Sequence, residues 1–507
     1  MLDFIISLRS NKIGMPLHDK AFYSVSFFLI GVLLASFIND WQQKILVTVL
    51  VTVLVAMVFL IMRLYALSTL SVVEGLPYKS FWLAILSLGI LLGAGYYFVF
   101  DAEQKDFNIH FGDKITFTGI IQKVSTGLNQ QNLVLGLQDP YQGRIRITAP
   151  RYPSWSYGDL VEVQGTIKKP SEQSEKYFEK EGIFGTASFP EIAFMESGRG
   201  SPIKSLLFKI KGFAEATFKR VLSPEKAAFM SGLTLGETAE FSKEFREKMS
   251  LTGTSHLVAL SGYNITIIGK GVMLALGLWF SRRKIFLLST LTIILFVIMT
   301  GAEASVVRAA IMGFIVLLAN QVQRLYSFRN AIAIAAFLMI LFNPKILVWD
   351  IGFQLSFAAV MGLVYLEPAI RKLFKVSPKP GFLNWRANLL TTVSAQLAVI
   401  PILLSNFSSF SLIGFLTNIL VLTFVPATMF LGLLVVAAGI LSYYLAQVIG
   451  WLANIFLSYE IGVIDLFAKI PIQISVQSFS LIFSVLYYVI IITVILYARR
   501  RKAHVLA

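Results

Sequence analysis

The chain has 507 residues, of which 56% are hydrophobic and only 14% charged, and its mean hydropathy is +0.72. A soluble protein of this size carries about a quarter charged residues, so most of this surface faces lipid and a wholly soluble enzyme is excluded. The absence of cysteine removes disulfides, thiolate catalysis and Cys-ligated metals, and the net charge of +16 must be explained by where the basic residues lie.

A helix that crosses a bilayer needs about 20 mostly apolar residues. Runs of that kind are predicted at Ala21–Ile38, Ile45–Leu64, Phe81–Phe100, His256–Phe280, Ile285–Thr300, Ala304–Asn320, Asn330–Phe342, Ile351–Glu367, Ala387–Leu404, Leu412–Leu441, Ala446–Phe467 and Phe479–Ala498. The first run is followed by a second and has no signal-peptide pattern, so it reads as retained. The run from Leu412 is too long for one simple span and contains Pro426, which suggests two half-helices. With the N-terminus in the cytoplasm, the short inside segments hold 19 Lys and Arg against four acids. Nearly all of the net charge is therefore the charge that orients a membrane protein. That orientation puts both termini inside and 101–253 outside the inner membrane.

Within 101–253 the pattern changes to strand-like alternation, with candidate strands Lys114–Val124, Asn132–Gln138, Arg144–Thr148, Leu160–Lys168 and Gly185–Met195. Five short strands suit a small barrel of the OB type, a fold that binds oligonucleotides on an open face. Arg144 and Arg146 fall on one face of their strand, and Arg151 precedes Tyr152, Trp155 and Tyr157, a mixture of cations and stacking rings suited to single strands. Arg144, Arg146, Arg151, Tyr152 and Trp155 are the candidate DNA contacts; the alternative is a solvated face with turn aromatics. The 10 basic and 11 acidic residues of Asp106–Gly200 leave the domain no basic excess. Next, Ile203–Val221 reads as an amphipathic helix at the membrane surface, Ser223-Pro224-Glu225 as a helix start, and Ser242–Ser250 as a further polar helix.

Polar groups inside a bilayer are costly and are functional candidates by default. They cluster in Gly253–Ile265 (GTSHLVALSGYNI), Gly301–Met312 (GAEASVVRAAIM) and Asn343–Phe357 (NPKILVWDIGFQLSF). His256, Ser261 and Asn264 interrupt the first, Arg308 lies inside the second with Glu303 as the nearest acid in sequence, and Gln354 and Ser356 lie in the third. Each is a candidate channel-lining residue, although a single Gln or Ser in a bundle is commonly interhelical glue.

These three segments resemble, in order, the successive motifs of the ComEC competence family. The resemblance covers roughly Ser201–Arg499 and implies a polytopic α-helical membrane protein with an inserted small extracytoplasmic all-β (OB-like) domain. It divides the chain into N-terminal transmembrane helices (1–100), the β domain (101–200), interfacial helices (201–255) and a channel domain (256–507). It also implies passage of single-stranded DNA during natural transformation, with an external DNA receptor and a cytoplasmic helicase or translocase as partners. There is no GxxxxGK[ST] run for an internal ATPase. Two departures stand out. Ser261–Asn264 reads Ser-Gly-Tyr-Asn where the family has Ser-Gly-Leu-His. The chain also stops at Ala507 with His18, His110, His256 and His504 as its only histidines, so any metallo-β-lactamase-like nuclease is expected to be a separate protein, or absent. No catalytic residue, metal or cofactor is predicted. A secondary transporter of a small anion suits the broken helices equally, and an intramembrane hydrolase using His256 with Ser261 or Glu303 is a third reading.

Overall fold

The computed structural model describes residues 17–38, 76–104, 108–260, 262–277, 279–322, 327–375, 385–470, 472–476 and 480–500. The predicted span Ile45–Leu64 lies outside them. Among the described residues six helices are long and apolar enough to cross a membrane, or up to seven if a bent pair counts as one span. The chain is thus a polytopic helical protein with a small β region.

Contacts divide the chain into two units, 1–107 with 325–350 and 108–324 with 351–507. In the first, α1 (Leu17–Ser36) lies along α2 (Leu76–Gln104), and α10 (Phe328–Phe342) packs on α1. Gly89 and Gly93, spaced as small-xxx-small, let the α1 and α2 backbones approach. A Cβ on Gly93 would collide with the Phe28 carbonyl and one on Gly31 with the Ile90 carbonyl, both backbone atoms that cannot swing aside. Polar links among the described residues also hold the unit. Arg329 pairs with Asp19, Tyr96 donates to the Leu341 carbonyl at 2.5 Å, and Lys345, 1% exposed, meets Asp101 at 3.0 Å.

The second unit opens with the β domain. Strands β1 (Lys114–Thr126), β2 (Gln130–Leu137), β3 (Arg144–Pro150) and β4 (Leu160–Thr166) are followed by α3 (Glu172–Lys180), β5 (Ile183–Ser188) and β6 (Glu191–Glu196). The sheet order is β5-β3-β2-β1-β4-β6. All pairs are antiparallel except β3 with β5, and a Lys168–Thr186 bridge brings the end of β4 back to β5. Alternation buries Ile145, Ile147, Leu133, Leu135, Val161 and Val163 on the inner face, as period two requires. The expected single strand Gly185–Met195 is in fact two. Phe189 adopts φ 50° and Pro190 has no N–H, so the chain turns a corner and β6 pairs with β4 instead of continuing along β3.

Helices α4 (Pro202–Val221), α5 (Pro224–Leu235) and α6 (Lys243–Leu251) match the sequence closely. Ser223 and Ser242 are the N-caps, and Ser242 Oγ accepts the Phe245 amide at 3.1 Å. On α4, Leu207 and Phe218 are buried, while Leu206, Ile210 and Phe213 stay exposed. The apolar stripe is thus wider than its packed face. Then follow α7 (Gly262–Leu276), α8 (Arg282–Met299), α9 (Ala304–Gln321) and, after α11 (Ile346–Trp349) of the first unit, α12 (Ile351–Met361). That helix runs through a π turn at Gly362–Leu366 into α13 (Glu367–Leu373) and on to α14 (Trp385–Phe407). The Leu412 run is broken as its proline suggests, into α15 (Gly414–Leu422) and α16 (Val425–Leu441), bent by 47°. Helices α17 (Tyr443–Ala468) and α18 (Leu481–Arg500) end the chain, and the short strands β7 (Ser409–Ser411) and β8 (Gln473–Ser475) pair. One core joins α4, α5 and α6 to α15, α16 and α17, with Phe218, Phe229, Leu233, Val421, Val435 and Leu457 at its centre.

Gly93→Ala forces α1 away from α2 and is expected to cost about 1–3 kcal/mol, the usual penalty for overpacking. Gly95→Ala, whose added methyl meets open space, is the control. Thermal unfolding of the purified variants should show a lower midpoint for the first alone.

Candidate functional site

The segment between α6 and α7 is irregular backbone, which membrane proteins tolerate only where protein or water satisfies it. Here side chains do so. Gly253 sits at φ 63°, and a Cβ on it would press on Gly414 Cα and Ser411 Cβ at 3.3 Å, so glycine is needed for conformation and space alike. The Gly253 carbonyl accepts His256 Nδ1 at 3.1 Å and Asn418 Nδ2 at 3.4 Å. Ser411 Oγ donates to the Leu251 carbonyl at 2.6 Å, and Ser305 Oγ of α9 donates to that of Leu260 at 2.5 Å. Thr252 and Thr254, both fully buried, share a hydroxyl–hydroxyl bond of 2.9 Å. His256 is exposed and Ser261 lies outside the described residues.

Asn264 is 3% exposed, and its Nδ2 donates to the Leu233 carbonyl at 2.8 Å. That carbonyl is in the last turn of α5, where intrahelical donors run out. Asn264 therefore caps a neighbouring helix.

Arg308 on α9 is 8% exposed. Its guanidinium lies 5.7 Å from the centre of the Phe357 ring on α12, which in turn stacks on Phe353 at 4.4 Å. Among the described residues no acid is within ion-pair distance of Arg308, and its Nε has no hydrogen-bond partner. Glu303 is the N-cap residue of α9 and does not reach back to the arginine. Close approaches of Gly262 to Ala309 (3.5 Å) and Gly313 to Ile265 (3.6 Å), measured from ideal glycine Cβ positions, hold α7 against α9. On α12, Ser356 Oγ is buried without a partner, as are Ser394 Oγ and Gln396 Oε1 on α14, which packs against α12. Gln354 is half-buried on the same helix.

The structure thus sets Arg308 of α9 against α12, which in turn packs on α14, and ties α9 to the irregular segment through Ser305. His256 and Asn264 each make a local bond of their own. Sequence reasoning passed over Ser394 and Gln396, as well as Thr428 and Glu460 in α16 and α17. A charged residue well inside an apolar run was the available signal for Glu460.

In the β domain, Arg144 and Arg146 share the outer face of β3, and α3 lies against it. Arg144 Nη1 donates to the Glu181 carbonyl at 3.3 Å, and Arg146 stacks over Phe178 at 5.5 Å. Arg151 donates to the Leu128 carbonyl at 3.0 Å, lies 3.9 Å from Glu240 and 5.8 Å from the centre of the Tyr152 ring. Tyr152 is 74% exposed and Trp155 is half-buried. Beside Glu240, burial pushes the Glu215 carboxyl above its usual range while Lys211 opposes the shift. Among the described residues no group of three His, Cys, Asp or Glu is placed to hold a metal ion.

A family model described as "Competence protein" matches residues 233–501, which takes in all three polar clusters. The chain belongs to the competence protein family. It is 31% identical over 279 residues to ComE operon protein 3 of Bacillus subtilis (strain 168), an alignment covering 53% of this chain and 34% of that relative. The chain therefore matches about a third of the length of this curated relative. No solved structure matches. Asn264 lies within the matched region, and its bond to the Leu233 carbonyl gives it a structural role.

Asn264→Ala removes the donor from a buried carbonyl and should destabilise the protein by about 1–3 kcal/mol, the cost of an unsatisfied buried group. Asn264→Gln should recover little, because its longer chain overshoots the α5 terminus. Thermal unfolding of both variants checks this.

Proposed function

We propose that this chain carries single-stranded DNA across the cytoplasmic membrane during natural transformation. The observation that carries the reading is Arg308. A buried cation without an acid costs several kcal/mol unless something anionic or aqueous attends it, and a DNA strand brings one phosphate per nucleotide. Arg308, Gln354 and Ser356, with Ser394 and Gln396 behind them, would form the polar wall past which the strand moves. His256 belongs to the neighbouring segment that frames it and Glu303 to the start of α9. Membership of the competence family supports the same reading.

The β domain in this reading is an OB-like barrel outside the cell membrane that holds the strand before entry. Parallel pairing of β3 with β5 and the bridge that returns β4 to β5 support a small, nearly closed barrel. Tyr152 and Trp155 offer stacking surfaces, and Arg144, Arg146 and Arg151 offer cations braced by α3 or by neighbouring carbonyls. Helix α4, with its exposed Leu206, Ile210 and Phe213, lies in the membrane interface. An external DNA receptor and a cytoplasmic helicase or translocase complete the machinery, and no step of the passage calls for catalysis by this chain.

The rival reading, transport of a small anion, uses Arg308 in the same way but has no need of the barrel. Labelled DNA supplied to transformable cells whose only copy carries Arg308→Gln should reach the cytoplasm about tenfold less, in keeping with about 1.4 kcal/mol at the passage. Surface binding should be unchanged, and Arg308→Lys should fall between. Undiminished entry in Arg308→Gln removes the basis of the proposal. Loss of entry without residues 108–200 favours a polymer over a small solute.

A further inference from the structure

Glu460 lies in the middle of α17, a helix long and apolar enough to span the membrane, and is fully buried. Leu457, Ile461 and Ile464 on its own helix and Val421, Val425 and Met429 on α15 and α16 belong to the core around it. One carboxyl oxygen, Oε1, accepts the Thr428 hydroxyl of α16 at 2.7 Å. The other, Oε2, has no donor among the described residues. An anionic oxygen left so in an apolar core is far more costly than a neutral carbonyl oxygen in the same place.

The charged groups on every packed element are already engaged or distant. Helices α15 and α16 bring none. From α5, Lys226 is held by Asn454 and Ser458, each at 2.7 Å, and Glu225 lies at the helix start. From α6, Lys248 is held by Glu244 at 2.8 Å and Asp465 at 3.0 Å, Lys243 lies 3.8 Å from Glu247, and Arg246 bonds the Thr238 carbonyl. From α4, Lys211 pairs with Glu237 and lies 4.0 Å from Glu215, Lys219 pairs with Glu240, and Lys204, Lys209 and Arg220 are exposed. On α17 itself, Tyr459 donates to the Leu420 carbonyl at 3.5 Å, and Tyr443 and Tyr444 are at the far end. No cation among the described residues reaches Glu460.

Thr428 is also placed at the bend between α15 and α16. Its Oγ is 3.3 Å from the Phe424 carbonyl, one turn back at the break, which already accepts the Ala427 and Thr428 amides. A threonine that bonds back to the carbonyl four residues earlier bends a helix. Thr428 has one hydroxyl proton to give, either to that carbonyl or to Glu460.

We propose that Glu460 and Thr428 form a proton-binding site whose occupancy sets the bend between α15 and α16. When a proton from water adds to Oε1, the new O–H donates to Thr428 Oγ and the Thr428 hydroxyl donates back to Phe424, holding the bend. When the proton leaves, Thr428 turns its hydroxyl to the carboxylate and the back-bond is lost. No other bond is made or broken and nothing is oxidised. This device stands apart from the DNA reading, and its test uses no DNA.

Infrared difference spectra of the purified full-length protein, stepped from about pH 5 to about pH 9 to cover the range buried carboxyls reach, should show a protonated-carboxyl band that fades as pH rises and is lost in Glu460→Gln. Because the chain has no cysteine, Thr423→Cys places a single thiol at the break. Its alkylation rate, divided at each pH by that in the Glu460→Gln background to cancel thiol ionisation, should change over the same interval as the band. Thr428→Val, which keeps the carboxyl, should retain a titrating band while the alkylation ratio loses its pH dependence. A band unchanged in Glu460→Gln, a band constant across the range, or an alkylation ratio flat with pH overturns the proposal. Should Glu460→Gln fail to fold, Thr428→Val still decides it, because an alkylation rate with the same pH profile as the Thr428 parent also overturns it.

Discussion

A backbone carbonyl taken out of helical geometry and away from water must find a donor in the protein, and the second unit depends on how this constraint is met between α6 and α7. The chain leaves helical geometry there, and its carbonyls are taken by Ser305, Ser411, His256 and Asn418. Those donors come from α9, from β7, from the segment itself and from α15, so the unsatisfied backbone gathers the helices around it. Gly253 allows this by its left-handed backbone and by admitting Gly414 at close range. The described polar residues of the first motif thus act largely as fasteners, while Arg308 on α9 has no acid within ion-pair distance among the described residues.

A bundle of this kind spends its polar groups in two ways. Most are spent on closure, as Asn264 is on the Leu233 carbonyl. Other buried atoms are left without partners among the described residues, Ser289 Oγ, Asn418 Oδ1 and Glu460 Oε2 among them, and four lie on α9, α12 and α14: Arg308 Nε, Ser356 Oγ, Ser394 Oγ and Gln396 Oε1. Unsatisfied buried groups are uncommon in native structures and each calls for an explanation. An occupant that comes and goes is one explanation that accounts for the set together. Phe357 gives the guanidinium an interim partner, since a ring face attracts a cation without neutralising it.

Much of this was legible in the sequence because it depends on local rules. Helix starts at Ser223 and Ser242, strand alternation around Ile145 and Ile147, and the break near Pro426 follow from capping, pleat and a missing N–H. The corner at Phe189-Pro190 was not legible, since a strand-like composition hides a change of partner that only the β4 pairing reveals. The ring beside Arg308 was not legible for a similar reason: Glu303 is the nearest acid in sequence, but Phe357 is near in space. Glu460 went unremarked because its neighbours in sequence are ordinary, and its isolation is a property of the three helices that enclose it.

The π turn at Gly362–Leu366 sits between the aromatic pair of α12 and the Glu367–Arg371 pair, 2.5 Å apart at the start of α13. A π turn takes up one residue more than the α-helix around it, so what lies beyond it keeps nearly the azimuth it would have without that residue. Removing a single residue there would let the α-helical ladder close and leave Glu367 and Arg371 nearly in place, whereas removing one from the regular part of α12 would swing everything beyond it by about 100°. Phe353 and Phe357 lie before the turn and would keep their side of the rod in either case. The turn is thus a one-residue allowance in the length of the rod, and a deletion is tolerated there as nowhere else along it.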